Sequence, residues 1–285
     1  MMNIREPLLP PPWYPRVPEE INQFLRSAAP EGPGSGLAAI APHAGWYYSG
    51  RIAARAVSSL GSGAARSGAE TVVIIGGHNP GGAPFLFAEE DGARTPFGVM
   101  PMDGELRELL KKKLDGRPDK YQDNTVEVLL PMVHSLFPKA KLLWVRFPGD
   151  LSSYEAGKTL ARAVDTIDRP LAVLGSTDLT HYGDNYRFTP KGRGQAALDW
   201  VRNTNDAAFI RAVLNEEPAE VLRRADEDFS SCSVGAVLGV LGFVKSRGAK
   251  KGELLEYGTS ADAAAADGGI PNSFVGYAAV SWERA

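Results

Sequence analysis

Imidazole and thiolate side chains are good ligands for transition metals, and this chain of 285 residues carries only four His and one Cys. His43 closes the apolar run Leu37-Ala38-Ala39-Ile40-Ala41-Pro42-His43. His78 closes Thr71-Val72-Val73-Ile74-Ile75-Gly76-Gly77-His78. Cys232 precedes the apolar stretch from Val234 to Val244, at a predicted helix start where the macrodipole favours thiolate. Together they make a candidate site for zinc, copper or iron. No two of the three lie close in sequence, so no finger-type spacing rule applies. A buried structural Cys with strand-end histidines bonded to backbone stays open as the alternative.

Other residues invite roles around that site. Asp178 and His181 stand three apart after the apolar run Leu171 to Gly175. An Asp can fix the tautomer and orientation of a His, making it a base or a ligand. The same spacing also fits an Asp that caps a turn beside an unrelated His. Glu127 sits among apolar neighbours in Thr125-Val126-Glu127-Val128-Leu129-Leu130-Pro131, where a carboxylate needs a partner. It is either a support to the metal ligands or a first-turn Glu answering the helix dipole. His134, further along the same helix, is expected in surface or core packing. Gly76-Gly77-His78-Asn79-Pro80-Gly81-Gly82 lacks the Lys-Ser/Thr of a P-loop and does not match G-x-G-x-x-G. Its glycines are read as letting backbone, with Asn79, approach the site. Trp46, Tyr47 and Tyr48 either wall a pocket or staple their loop to the core.

The elements that position these residues follow from periodicity. Short continuous apolar runs ending at His43, His78, Phe147 and Gly175 predict buried strands. Helices are expected over Pro18–Ser27, Arg51–Leu60, from Asp103 to Leu114, Val126–Leu136 with Thr125 as cap, Tyr154–Val164, Lys191–Val201, Asp206–Asn215 and Ala219–Ala225. A further helix starts at a Ser230 or Ser231 cap and runs to about Lys245. Ala44 to Gly50 is expected as a loop, with Ser49 capping the helix after it. Leu86–Glu89 and Val99–Met102 are expected as short antiparallel additions to the sheet, and Leu254–Ser260 and Phe274–Trp282 as the last strands. Ala28 to Gly36 and Ala261 to Gly269 read as loops. Alternating strands and helices imply one α/β domain over residues 1–285, with a mostly parallel mixed sheet covered by helices on both faces. Residues 1–16, rich in Pro, are expected to be extended. In such sheets ligands bind beyond the carboxyl ends of the strands, where His43, His78 and His181 fall.

Composition narrows the function classes. A net charge of −3 gives no bulk reason to expect nucleic acid or an anionic membrane as partner. One Cys excludes an intramolecular disulfide and fits a reducing compartment. The first residues do not read as a signal peptide. The longest apolar run falls well short of the ~20 residues needed to span a bilayer. A cytoplasmic protein is expected.

Four motifs carry a resemblance: Ala41-Pro42-His43-Ala44-Gly45-Trp46-Tyr47-Tyr48-Ser49-Gly50, Gly77-His78-Asn79-Pro80, the Thr125–Pro131 segment, and Ser176-Thr177-Asp178-Leu179-Thr180-His181-Tyr182-Gly183. In this order they resemble the Memo family, known in prokaryotes as the AmmeMemoRadiSam system protein B group. That family is similar in fold to class III extradiol dioxygenases of the LigB type. The resemblance implies His43, His78 and Cys232 as ligands to iron, with copper or zinc as alternatives. Cys232 stands where the dioxygenases have Glu. His181 matches their acid/base histidine, with Asp178 expected to orient it, and Glu127, Trp46, Tyr47 and Asn79 are expected around the pocket. The sequence departs from the human-type pattern at Asn124, and at Ser233-Val234, where Gly-Arg is more typical. The second departure removes a cation near the site. The implied function is a metal-binding redox protein acting on a small substrate. The alternatives are a non-catalytic metal-binding partner of an AMMECR-type protein and a radical SAM protein, and a zinc-dependent hydrolase with metal-bound water as nucleophile.

Overall fold

The computed structural model describes residues 2–28, 36–61, 69–121, 123–264 and 269–285. Its centre is four parallel strands in the order Gly36–Ala41, Leu171–Ser176, Thr71–Gly76, Lys141–Arg146. Nearly every position in them is buried, which explains why they read as apolar runs without alternation. Alternate side chains nevertheless part to two faces. Ile40, Val73, Ile75 and Val173 pack in one layer, with the helices Ser152–Ile167 and Val234–Arg247. Ala39, Val72, Ile74 and Leu174 pack in the other, with Pro18–Ala28, Trp46–Ser59 and Leu130–Leu136. The expected α/β domain with helices on both faces is what the chain forms.

Antiparallel strands complete the sheet. Ser273–Glu283 pairs with Gly36–Ala41 on one side and with Glu253–Thr259 on the other. Its first residues pair with His181–Gly183, in the register His181 to Val275. This fixes where His181 stands. On the far side Leu86–Phe87 joins Lys141–Arg146 antiparallel, as expected, and Arg117–Pro118 pairs with it at the edge. The second expected short strand does not join this sheet. Gly98–Pro101 forms a hairpin with Gly92–Thr95, and Ile4–Arg5 adds to it as the third strand of a separate small sheet.

Every residue from Val234 to Val244 is buried, so that helix is apolar all round because it lies between the sheet and Ser152–Ile167. The residue before its first turn is Ser233, not Ser230 or Ser231, and the Ser233 side chain makes no capping bond. Three other boundaries also differ. The helix expected from Arg51 starts at Trp46, because Trp46 N–H donates to Trp13 O at 2.8 Å, a contact remote in sequence. Ser49 is inside it, its hydroxyl on Ala44 O. The single helix expected over Val126–Leu136 is two, Asn124–Glu127 and Leu130–Leu136, with Pro131 in the first turn of the second. Its cap is Asp123, which accepts from Thr125 N–H at 2.9 Å. The expected helix from Lys191 starts at Gln195. It runs through a π-helical segment, Val201–Asn205, into Asp206–Leu214. Of the two expected loops, 29–35 and 265–268 lie outside the described residues; the start of the second is not loop but the short helix Ser260–Ala264, with Asp262 accepting from Thr259 N–H at 2.6 Å at its first turn. Among the described residues, no helix is long and apolar enough to cross a membrane.

Candidate metal centre

His43, His78 and Cys232 meet. One ligand atom from each lies within 4.8 Å of the others, and Cys232 Sγ is 3.3 Å from His43 Nε2. His43 follows the strand Gly36–Ala41, His78 follows Thr71–Gly76, and Cys232 precedes the helix Val234–Arg247. All three therefore reach the carboxyl edge of the parallel strands. The two rings stand edge to face with centroids 5.0 Å apart. Ligand bonds of ~2.0–2.3 Å place tetrahedral donors roughly 3.5 Å apart. The Cys232–His43 separation already matches that.

Each imidazole is held by its other nitrogen. His43 Nδ1 is 2.9 Å from Ser176 Oγ, and its backbone N–H donates to Asp178 Oδ1 at 2.7 Å. His78 Nδ1 is 3.0 Å from Asp123 Oδ2. Asp123 is in turn ion-paired to the buried Arg146 at 3.0 Å, and Arg146 reaches Asp119 at 3.3 Å. A carboxylate behind an imidazole is the usual support for a metal-bound His. His78 sits at φ 52, in the left-handed region a non-glycine residue rarely adopts. Ser233 Oγ accepts from His78 N–H at 3.3 Å, and a Cβ on Gly77 would collide with the Ser233 side chain. The glycine before His78 is thus required by close approach.

The electrostatics follow from this packing. Burial pushes the Cys232 thiol up, but His43 and His78 outweigh it and hold the thiol well below its ordinary range. Burial pulls His43 down, while Asp178 and Cys232 prevail and raise it. For His78 burial is again overcome, by Asp123 and Cys232, which lift it to about 10. Asp123 falls to about 2: burial opposes this, and its bonds with His78 and Thr125 prevail. Asp178 is raised, chiefly by burial, with His43 pulling against that shift. The shifts run together: the thiol gives up its proton more readily, and both imidazoles hold theirs more tightly, than usual. A cation can take the place of those protons.

A cleft of about 630 Å³ opens above the site, lined in part by His43, His78, Asp178 and His181. His181 is not bonded to Asp178, contrary to expectation. Its Nδ1–H donates to Leu179 O at 3.1 Å, and its ring stands edge to face on Tyr186 at 4.8 Å. Asp178 serves His43 instead, because it follows the neighbouring strand Leu171–Ser176 directly. Tyr47 lines the cleft, but Trp46 does not: its buried indole donates to Val128 O at 2.9 Å. Asn79 points away, bonded to Pro84 O. Glu127 is not beside the ligands either. Its buried carboxylate accepts, each at 2.9 Å, from Leu8 N–H, Leu9 N–H and Tyr14 O–H. It fastens the extended Pro-rich segment, which brings Pro12 and Trp13 to the cleft. His134 packs in the core, its Nδ1 2.6 Å from Thr95 Oγ1. Asn124 lines the cleft and donates to His43 O at 3.0 Å. Sequence reasoning missed Asp123, Ser176, Ser233 and Arg146. Only Asp123 left a signal, as an Asp two before a Thr at a helix start.

Known proteins match this chain along its length. The MEMO1 family protein MK0963 of Methanopyrus kandleri is 30% identical, covering 98% of this chain and 99% of its own. A MEMO1 family protein of Methanococcoides burtonii is 31% identical over 86% of this chain and 85% of its own. The crystal structure of the uncharacterized protein JW3007 from Escherichia coli K12 shares the fold, with a TM-score of 0.52 at 13% identity over 86% of this chain and 98% of that one. The profile of Memo-like proteins matches residues 5–281, and the chain belongs to that family.

Proposed function

We propose that this chain is a metal-dependent redox protein that acts on a small organic substrate. The observation that carries this is the convergence of His43, His78 and Cys232 at the floor of a cleft, with both imidazoles supported through Nδ1. Two imidazoles and a thiolate fit iron, copper or zinc, and iron is the expected occupant. Such an ion, when bound, supplies electron transfer and Lewis acidity at the cleft floor. The chain's own groups do the rest. Ser176 holds the His43 ring through Nδ1 while Asp178 holds its backbone N–H, and Asp123 holds the His78 ring. His181 spends its Nδ1–H on Leu179 O, which leaves Nε2 as the acceptor for a substrate proton. It is the acid/base group of the reading.

The test separates ligand from base. Anaerobically purified His43→Ala should lose most of its metal, and His181→Ala should keep most of it while losing turnover. Equal metal loss in both would make His181 a ligand and leave the mechanism without its base. A wild type that holds metal but turns over nothing supports the non-catalytic role, as partner of an AMMECR-type and a radical SAM protein. Zinc as the occupant, with hydrolytic turnover, supports the hydrolase.

A further inference from the structure

We infer that Asp206 is a positioning residue for His181: acting through Thr180, it sets which nitrogen of the His181 ring carries the proton. The inference rests on the reading of His181 as the acid/base group and supplies what aims it, since Asp178 is given to His43. Asp206 is fully buried, and a carboxylate removed from water needs donors around it. It has three. Oδ1 accepts from Thr180 N–H at 3.1 Å and from the Thr180 hydroxyl, and Oδ2 accepts from Tyr257 O–H at 2.8 Å. Gly276 makes room for it, because a Cβ there would collide with Oδ2.

The direction of each bond is fixed. Asn205 Nδ2 donates to Asp228 O at 2.8 Å and to Thr180 Oγ1 at 2.9 Å. Turning the amide over would set its oxygen against the Asp228 carbonyl, so the nitrogen stays where it is. Thr180 Oγ1 therefore accepts from Asn205, and its own proton goes to Asp206. Asn205 ends the π-helical segment Val201–Asn205, and Asp206 follows it directly. Neighbours on an α-helix diverge by about 100°, yet both these side chains meet at Thr180. Single π-helical turns inside α-helices are frequent at functional sites.

What Thr180 holds in place is the peptide beside the base. Strand pairing with Ser273–Glu283 begins at His181. Before it, Leu179 N–H donates to Gly276 O at 2.8 Å and Gly276 N–H to Thr180 O at 3.0 Å. Thr180 N–H faces the other way, to Asp206. His181 Nδ1–H then reaches back across Thr180 to Leu179 O at 3.1 Å. A carbonyl only accepts, so this bond puts the proton on Nδ1 and the lone pair of the neutral ring on Nε2. The bond spans one residue, so its geometry follows the backbone angles of Thr180, which Asp206 grips by backbone and side chain together.

The test reads the tautomer directly. With four His in the chain, the ring signals of isotope-labelled protein are assignable by single substitutions. Proton–nitrogen NMR correlations are recorded on the full chain without added metal and again with diamagnetic zinc, with the His181 ring neutral. In the wild type the Nδ1–H form should predominate. Asp206→Ala should lower the ratio of Nδ1–H to Nε2–H at least about fivefold, the ratio that one ordinary hydrogen bond sets. Thr180→Val keeps the shape and loses the hydroxyl, and should move the ratio the same way by less; Thr180→Ser should restore it. Tyr257→Phe removes the third donor without touching Thr180. It should lower Tm and leave the ratio unchanged, which a merely structural role for Asp206 does not predict. A predominant Nε2–H form in the wild type overturns the inference. So does a wild-type ratio in Thr180→Val, the variant that decides if Asp206→Ala does not fold, and so does a shift in Tyr257→Phe as large as in Asp206→Ala. Failure of the acid/base reading shows separately, in the turnover and metal content of His181→Ala, with the tautomer as predicted.

Discussion

The parallel strands end in a cleft on each side, and the two clefts differ in kind. At the amino ends a cleft of about 400 Å³ is lined by Leu37, Arg169, Leu171 and Arg247. Two of its cations are paired: Arg169 reaches Glu105 at 2.7 Å and Asp103 at 3.4 Å, and Arg247 reaches Asp165 at 2.7 Å. At the carboxyl ends the larger cleft is lined by His43 and His78, whose ligand atoms converge with that of Cys232, with a strained backbone at His78. Size does not separate them. What separates them is that strand ends on one side deliver side chains into a common point, whereas on the other they enter a surface of neutralised ion pairs. A polar surface closed in pairs stabilises modestly, whereas donors brought to one point are arranged as a metal ion would need them.

Substitutions in the two regions should therefore differ sharply. A loss of stability is expected at Gly77. Gly77→Ala places a methyl group into Ser233, and overpacking of this kind costs about 1–3 kcal/mol, read as a fall in Tm. A stability equal to the wild type would show that the His78 loop is loosely held.

The next effect is a pH dependence beside the site. Asp206 is buried, accepts from Thr180 N–H and Tyr257 O–H, and is pushed up to about 6 by burial. Its folded value lies above the unfolded one near 3.8. The proton is thus held more tightly in the folded chain. That stabilisation is complete below about pH 4 and lost as pH rises through about 6, a loss on the order of 2–3 kcal/mol. Denaturant midpoints across that range should fall for the wild type relative to Asp206→Asn, and parallel profiles would refute the assignment.

Asp123→Asn keeps the shape behind His78 and removes the charge. Metal affinity should weaken about 10–100-fold, measured by competition with a chelator. Arg247→Ala, in the amino-end cleft, should cost less than about 1 kcal/mol and leave metal affinity unchanged. If the order of these two were reversed, the contrast between the clefts would be wrong.

The same contrast explains what the sequence disclosed. The four central strands were legible because burial on both faces makes them apolar throughout, and His43 and His78 were legible because they stand where those runs stop. The convergence of Cys232 with them depends on topology; in the sequence its signal is its place before an apolar helix, and the resemblance implies it as a ligand. Glu127 looked like a group near the metal because an acid among apolar neighbours wants a partner. Its partners are Leu8, Leu9 and Tyr14, more than a hundred residues away, and no local pattern points to them. The helix from Trp46 was hidden for a similar reason, since Trp13 O anchors its first turn. Asp178 was assigned to His181 by nearness in sequence. The sheet sets it against His43, on the adjacent strand.

The central claim is that Cys232 closes a metal site with His43 and His78. Its most direct test is metal stoichiometry of anaerobically purified and reconstituted protein, wild type against Cys232→Ala. About one tightly held iron or copper ion per chain in the wild type, lost in the variant, is the predicted result. A wild type that takes up no metal, or a variant that keeps it with unchanged affinity, would contradict the account.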